Sequence, residues 1–306
     1  MTGARHSAAA PSVAEHSYKH GVYCIREDVP YAAAVRGFIE SFDFRDRTKY
    51  EVIPTTNRRT KLYVFHFPPA NRRLVVKVFS VDPALSRRRR AALFMTNLAK
   101  NYPRASFAGA RILEQAGIPG ARAVAYWTFR PDFQHMDGYY LYEEIPAKTS
   151  VHRFRESIRG APSQLERRAW DRMIDEIAHI SRDLHEKNIR HGALELGNFL
   201  VDFGNHGARP RNEADADNAR LYLIDTDRVS KARLRIPGIK RFLDLNCLRR
   251  LDFDREGRRA FVGRYLGEHY STAWWYVLEL WRLRRFRLRK WLRGEQRGSS
   301  STLQPR

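Results

Sequence analysis

The stretch His191-Gly192-Ala193-Leu194-Glu195-Leu196-Gly197-Asn198-Phe199-Leu200-Val201, followed by Leu221-Tyr222-Leu223-Ile224-Asp225, decides the reading of this chain. A polar turn leads into a short apolar run. A loop follows, and then a second apolar run that ends on a carboxylate. Two short paired strands account for the apolar runs. Their ends would bring an amide, Asn198, and a carboxylate, Asp225, to one place. That donor pair suits a Mg²⁺ ion bridging nucleotide phosphates. A second carboxylate, Asp202, opens the string Asp202-Phe203-Gly204 only four residues past Asn198. A strand, a turn and a second strand do not fit in that interval. Asp202 therefore reads as the end of the first strand and Phe203-Gly204 as the turn, with Asp225 as the metal carboxylate.

The spacing from His191 to Asn198 matches the catalytic loop H-x-D-x-x-x-x-N of the protein-kinase fold, with the metal-binding Asp after the next strand. One member is replaced. The third loop position, where an Asp would accept the proton of the acceptor hydroxyl, is Ala193. A methyl group cannot take a proton. Asp227, two residues beyond Asp225, is a candidate second ligand or substitute base. It is equally a candidate for an ion pair with Arg228 or another basic residue.

Upstream, three runs read as a strand meander: Tyr50 to Ile53, Leu62 to Phe67 and Leu74 to Phe79. Lys77 stands within the third run, where an ammonium needs an anion or an escape to water. With the downstream loop present, nucleotide phosphate is the favoured anion, because the kinase fold carries its phosphate-pairing lysine on strand three. The turn from Thr55 to Thr60 has no glycine. It offers threonines and two arginines where a kinase has a Gly-rich loop. Ala105 to Ala116 is expected to be a helix, ended by Gly117-Ile118-Pro119-Gly120. A kinase helix here would supply a Glu to the lysine, at a position near Ser106. The acid present, Glu114, lies too late, and a surface role suits it better. Tyr139 to Ile145 ends in Glu144-Ile145 before Pro146, in the place of a hinge whose backbone would hold adenine.

Further helices are expected at Tyr31 to Phe42, Ser163 to Glu186, Ile239 to Leu251 and Arg258 to Leu266. Gly204 to Asn218 is a surface insertion whose acids are solvated. Ser86 to Lys100 opens with four arginines and reads as a basic helix. Ser271 to Arg293 interleaves tryptophans with seven Arg and Lys from Arg282 onward, a composition suited to an anionic membrane interface or to a helix packed by its first half.

The 306 residues suffice for a sizeable core, and the formal net charge of +22 implies an anionic partner. No nucleic-acid motif accompanies the charge, which argues against nucleic acid. Cys24 and Cys247 make no disulfide framework and fit a reducing compartment. No apolar run is long enough to span a membrane.

Together these residues resemble the bacterial lipopolysaccharide kinase family, the Kdo/WaaP-like branch of the protein-kinase fold, from about Tyr50 to Tyr265. The marks are Gly117-Ile118-Pro119, His191-Gly192-x-Leu194 with Asn198-Phe199-Leu200-Val201, and Leu223-Ile224-Asp225-x-Asp227-Arg228. The resemblance implies an α+β, two-lobed architecture with an antiparallel-sheet N-lobe and a mainly helical C-lobe. Residues 1–20 would be a disordered tail and 21–146 the nucleotide-binding lobe. Residues 147–270 would carry the catalytic and metal loops, and 271–306 a basic helix and frayed end. It implies ATP and Mg²⁺ as cofactors, with Lys77 on the phosphates and Asn198 and Asp225 on the metal. The acceptor would be a sugar of the lipopolysaccharide inner core, reached from the cytoplasm or from the inner-membrane surface. Two functions follow: a phosphotransferase weakened at Ala193, or a pseudokinase that binds nucleotide or a partner without chemistry.

Overall fold

The computed structural model describes residues 15–18, 21–42, 50–53, 60–79, 100–129, 137–205, 207–245 and 255–267. The turn at 54–59, most of the expected basic helix at 86–100, Cys247 and the tail at 271–306 lie outside these residues.

The strands are β1 (Glu15–Tyr18), β2 (Gly21–Ile25), β3 (Glu51–Ile53), β4 (Thr60–Phe67), β5 (Arg72–Phe79), β6 (Ala123–Phe129) and β7 (Asp137–Glu143). These seven form one antiparallel sheet in the order β1-β2-β6-β7-β5-β4-β3. The expected meander is its β5-β4-β3 edge. The tail expected over 1–20 is corrected at Glu15–Tyr18. This segment is β1, paired with β2 through Glu15 opposite Cys24. Its sequence, Glu-His-Ser-Tyr, carries no apolar alternation to announce a strand.

Both faces of the sheet are covered. That is why β5 reads as a nearly unbroken apolar run, Leu74 to Phe79 interrupted by Lys77. On one face α1 (Ala32–Ser41) buries Val35 and Ile39 against Leu74, Val76, Val78 and Trp127. On the other, α2 (Tyr102–Gln115) packs Phe107 and Ala110 against Phe79, Tyr126 and Tyr140. Helix α2 begins three residues earlier than expected. The Asn101 side chain caps it by accepting from the Arg104 N–H, and Pro103 occupies the first turn, where no N–H is needed.

The second large core surrounds α4 (Gln164–Glu186), which opens with a reciprocal Ser163–Glu166 capping box. Its buried stripe, including Met173, Ile177, Ile180 and Leu184, follows helical spacing. Against it lie α3 (Val151–Ser157) and a small sheet of β8 (Thr149–Ser150), β10 (Phe199–Asp202) and β11 (Arg220–Leu223). The two-residue strands β9 (Ile189–Arg190) and β12 (Ser230–Lys231) pair with each other. The insertion after β10 holds a short helix, α5 (Glu213–Asp217), tied to α4 by Arg168. Helices α6 (Gly238–Asp244) and α7 (Arg255–Leu266) complete the described elements. No described helix is long and apolar enough to cross a membrane.

Candidate active site

The site is built where β10 and β11 end. Their antiparallel register sets Phe199 opposite Leu223 and Asp202 opposite Arg220. Asp202 therefore lies at the far end of the hairpin, where its carboxylate accepts from the Gly204 N–H at 2.8 Å and closes the turn. Asp225 lies at the near end, beside Asn198: the Ile224 N–H donates to the Asn198 carbonyl at 2.9 Å. The structure thus separates the two candidate carboxylates as strand length predicted.

Lys77 reaches this end from the large sheet. Its Nζ donates to Asp225 Oδ1 at 2.7 Å, joining positions 148 residues apart. The lysine side chain is only 15 % exposed. Burial raises the Asp225 carboxyl, but the Lys77 charge and hydrogen bond outweigh it and hold the group below the usual carboxylate range. Asp225 itself adopts left-handed backbone at φ 62°. Strain in that region is common where a functional side chain is aimed.

The lysine sits on the sheet face covered by α2, opposite Tyr140 in register. Among the described residues no glutamate pairs with it there. The helix position expected to carry one is Ser106, whose buried hydroxyl makes no hydrogen bond. Glu114 instead pairs with Arg26 at 2.6 Å and approaches Arg122 at 3.8 Å. Asp225 has become the partner of Lys77.

Helix α2 is docked on the loop after Asp225. The Thr226 hydroxyl donates to the Ser106 carbonyl at 2.7 Å, inside the protein. Gly109 permits the approach, since a Cβ there would run into the Thr226 carbonyl oxygen. Asp227 is paired with Lys100, Nζ to Oδ2 at 2.9 Å, and its side chain is only 10 % exposed. Of the roles open to Asp227 from sequence, the structure shows an ion pair, with Lys100 and not Arg228 as the cation.

The loop at His191 is held from beneath. Asp244, at the end of α6, accepts from the N–H groups of His191 (2.9 Å) and Gly192 (2.6 Å). It also accepts from His185 Nε2 on α4 at 3.1 Å. Burial would raise the Asp244 carboxyl, but these donors prevail and lower it. His191 Nε2 donates to the Ile224 carbonyl at 3.0 Å, and burial keeps its imidazole below the ordinary histidine value. Gly192 takes φ 78°, and a side chain there would press on Arg228. Asn198 Nδ2 donates to the Ala193 carbonyl at 2.8 Å. That bond turns the amide so that its oxygen is left for another partner. Ala193 presents only a buried methyl.

At the end of β7 the Glu144 N–H donates to the Arg73 carbonyl at 3.0 Å, and the Glu144 carboxylate pairs with Arg73 at 2.9 Å. The Glu144 N–H is thus engaged within the protein. The Gly117-Ile118-Pro119-Gly120 segment has a role that sequence did not assign. The Pro119 carbonyl accepts from the Leu223 N–H at 2.9 Å, which fixes the strand leading to Asp225.

Sequence reasoning missed Lys100, Asp244 and the Thr226–Ser106 bond. Only the Asn-Tyr-Pro cap after Lys100 offered a local signal, by placing the start of α2 beside it.

The comparisons with known proteins agree with this architecture. The model of the lipopolysaccharide kinase (Kdo/WaaP) family matches residues 84–265, more than half of the chain. A solved structure described as WaaP in complex with acyl carrier protein superposes with a TM-score of 0.54 at 18 % sequence identity. That match covers 86 % of this chain and 97 % of the other. No curated protein matches.

Proposed function

The chain belongs to the lipopolysaccharide kinase (Kdo/WaaP) family, and from that membership we propose that it transfers the γ-phosphoryl group of ATP to a sugar hydroxyl of the lipopolysaccharide core, at a rate lowered by Ala193. The observation that carries the reading is the meeting of Lys77 with Asp225 beside Asn198. An ammonium and a carboxylate from distant segments meet there, and the backbone beside the carboxylate is tied to the residue that carries the amide. On this reading residues 21–146 form a nucleotide-binding lobe and 147–270 a second lobe.

The donor set fits Mg²⁺, which takes oxygen ligands from one or two protein groups and completes its shell with phosphates and water. Asp225 and the amide oxygen of Asn198 would hold it, and the ion would supply charge neutralisation for the transferred phosphoryl group. Lys77, relieved of Asp225 by that ion, would turn to the phosphates. Glu144 and Ile145 would offer backbone to adenine. His191 and Asp244 keep the loop rigid while the site fills.

Phosphoryl transfer depends chiefly on positioning and charge, so loss of the base slows it by about 10²–10⁴-fold and does not abolish it. On this reading the acceptor belongs to a glycolipid, and the reaction would run at the cytoplasmic surface of the inner membrane. A pseudokinase is the second reading. The ion pair of Asp227 with Lys100 favours it, since the nearest substitute for the missing base is already engaged. Incubation of the purified protein with ATP, Mg²⁺ and deacylated lipopolysaccharide core separates the two. A phosphorylated core sugar supports the transferase, and ATP binding without product supports the pseudokinase.

A further inference from the structure

From Arg228 to Leu243 the chain carries six cations and no acid. Five of them, Arg228, Lys231, Arg233, Arg235 and Lys240, are exposed; Arg228 acts on the Asp225 carboxylate through its charge, and among the described residues the other four have no carboxylate partner. Some exposed arginines elsewhere do find acids, as Arg168 does with Glu213 and Asp217 and Arg73 with Glu51 and Glu144. The cations are not loosely strung. Asn188, in left-handed backbone at φ 58°, accepts the Ala232 N–H on its carbonyl (2.8 Å) and the Ile236 N–H on its side-chain oxygen (3.4 Å). Both feet of the loop are therefore anchored to one residue, and Arg233-Leu234-Arg235 forms its tip. Leu234 is 82 % exposed, the most exposed large apolar side chain among the described residues. Leu234 thus presents an apolar point between two arginines at a pinned tip.

We propose that the 228–240 segment is a membrane-docking loop, with Leu234 entering the headgroup boundary of an anionic bilayer while Arg233, Arg235, Lys231 and Lys240 contact lipid phosphates. The chemistry of the tip selects this partner. An apolar point ringed by cations fits a surface that is anionic outside and apolar just beneath. A protein partner would have to supply a fitted pocket with an acidic rim. The position suits a glycolipid acceptor. β12, at the base of the loop, pairs with β9, and the residue after β9 is His191. Docking would therefore bring the catalytic loop close to the lipid surface. The loop needs neither nucleotide nor transfer, so its failure and that of the kinase reading can be told apart.

The test is co-sedimentation of the full chain with vesicles of phosphatidylcholine, alone or with phosphatidylglycerol, at two salt concentrations. Arg233→Gln with Arg235→Gln should lower partitioning onto the anionic vesicles about fivefold for each cation removed. Leu234→Ser should lower it further while leaving the melting temperature unchanged, and added salt should weaken binding of the parent chain. A control pair with equal loss of charge, Lys61→Gln with Arg167→Gln, should have little effect. Retained binding in the loop variants, or an equal loss in the control pair, overturns the proposal in favour of a protein partner or of diffuse charge.

Discussion

Lys77 shows how a buried cation selects its partner. A lysine on a strand buried on both faces needs an anion, because an unpaired ammonium there is expensive to desolvate. With Ser106 where a glutamate would stand, the nearest anion is Asp225, and Lys77 takes it. The pair is partly exposed, so Lys77→Met should cost about 1–3 kcal/mol of stability, mainly by leaving Asp225 without its donor. The shift of the urea midpoint measures it, and an unchanged midpoint would mean that the pair contributes nothing. Ala193 is the opposite case, a loop position whose methyl group offers no proton acceptor. Ala193→Asp should raise transfer to core sugar about 10²–10⁴-fold if the rest of the site is intact. Product formation from ATP and deacylated core reports it, and no gain despite ATP binding would count against a transferase.

Between elements, the contact that sets the site is α2 on the loop after Asp225. Gly109→Ala would force the helix off the Thr226 carbonyl and cost about 1–3 kcal/mol. It should also weaken the thermal response to nucleotide, because Lys77 and the loop would no longer share a frame. A variant as stable and as responsive as the parent chain would show that this packing is not needed. The loop at His191 gives a pH signature. Folding lowers both the His191 imidazole and the Asp244 carboxyl, so the unfolded chain binds more protons than the folded one. Stability contributed by these groups is complete above their unfolded values. It should fall as pH drops through ~6.5 for the histidine and then below ~4 for the aspartate. Urea midpoints at pH 8, 6 and 4 test the sign, and a flat profile contradicts it. Sequence made the β3-β4-β5 meander legible, as well as α4 and the hairpin that separates Asp202 from Asp225. Each has a period or a length limit that few residues can express. Asp244, Lys100 and Arg26 were not legible. A single polar residue that closes a long-range contact leaves no local period: His191 lies 53 residues from Asp244, Glu114 88 from Arg26 and Asp227 127 from Lys100. β1 was hidden for a similar reason, since its pairing with β2 supplies what its composition lacks.

Across the whole molecule, the chain carries a formal net charge of +22, and the carboxylates Asp225 and Asp227 are already paired with Lys77 and Lys100. Such a field attracts polyanions and speeds their encounter, and nucleotide and acidic glycolipid share that sign. The account therefore rests on whether triphosphate and metal enter where the Lys77–Asp225 pair now closes. The most direct measurement is the melting temperature with and without Mg²⁺-ATP, for the parent chain and for Asp225→Ala. At a hundredfold excess over Kd, binding should stabilise the parent chain by about 2.7 kcal/mol and raise its Tm, and the variant should lose most of that rise. A parent chain that Mg²⁺-ATP leaves unmoved, or a variant that responds as fully as the parent, would contradict the assignment of this site.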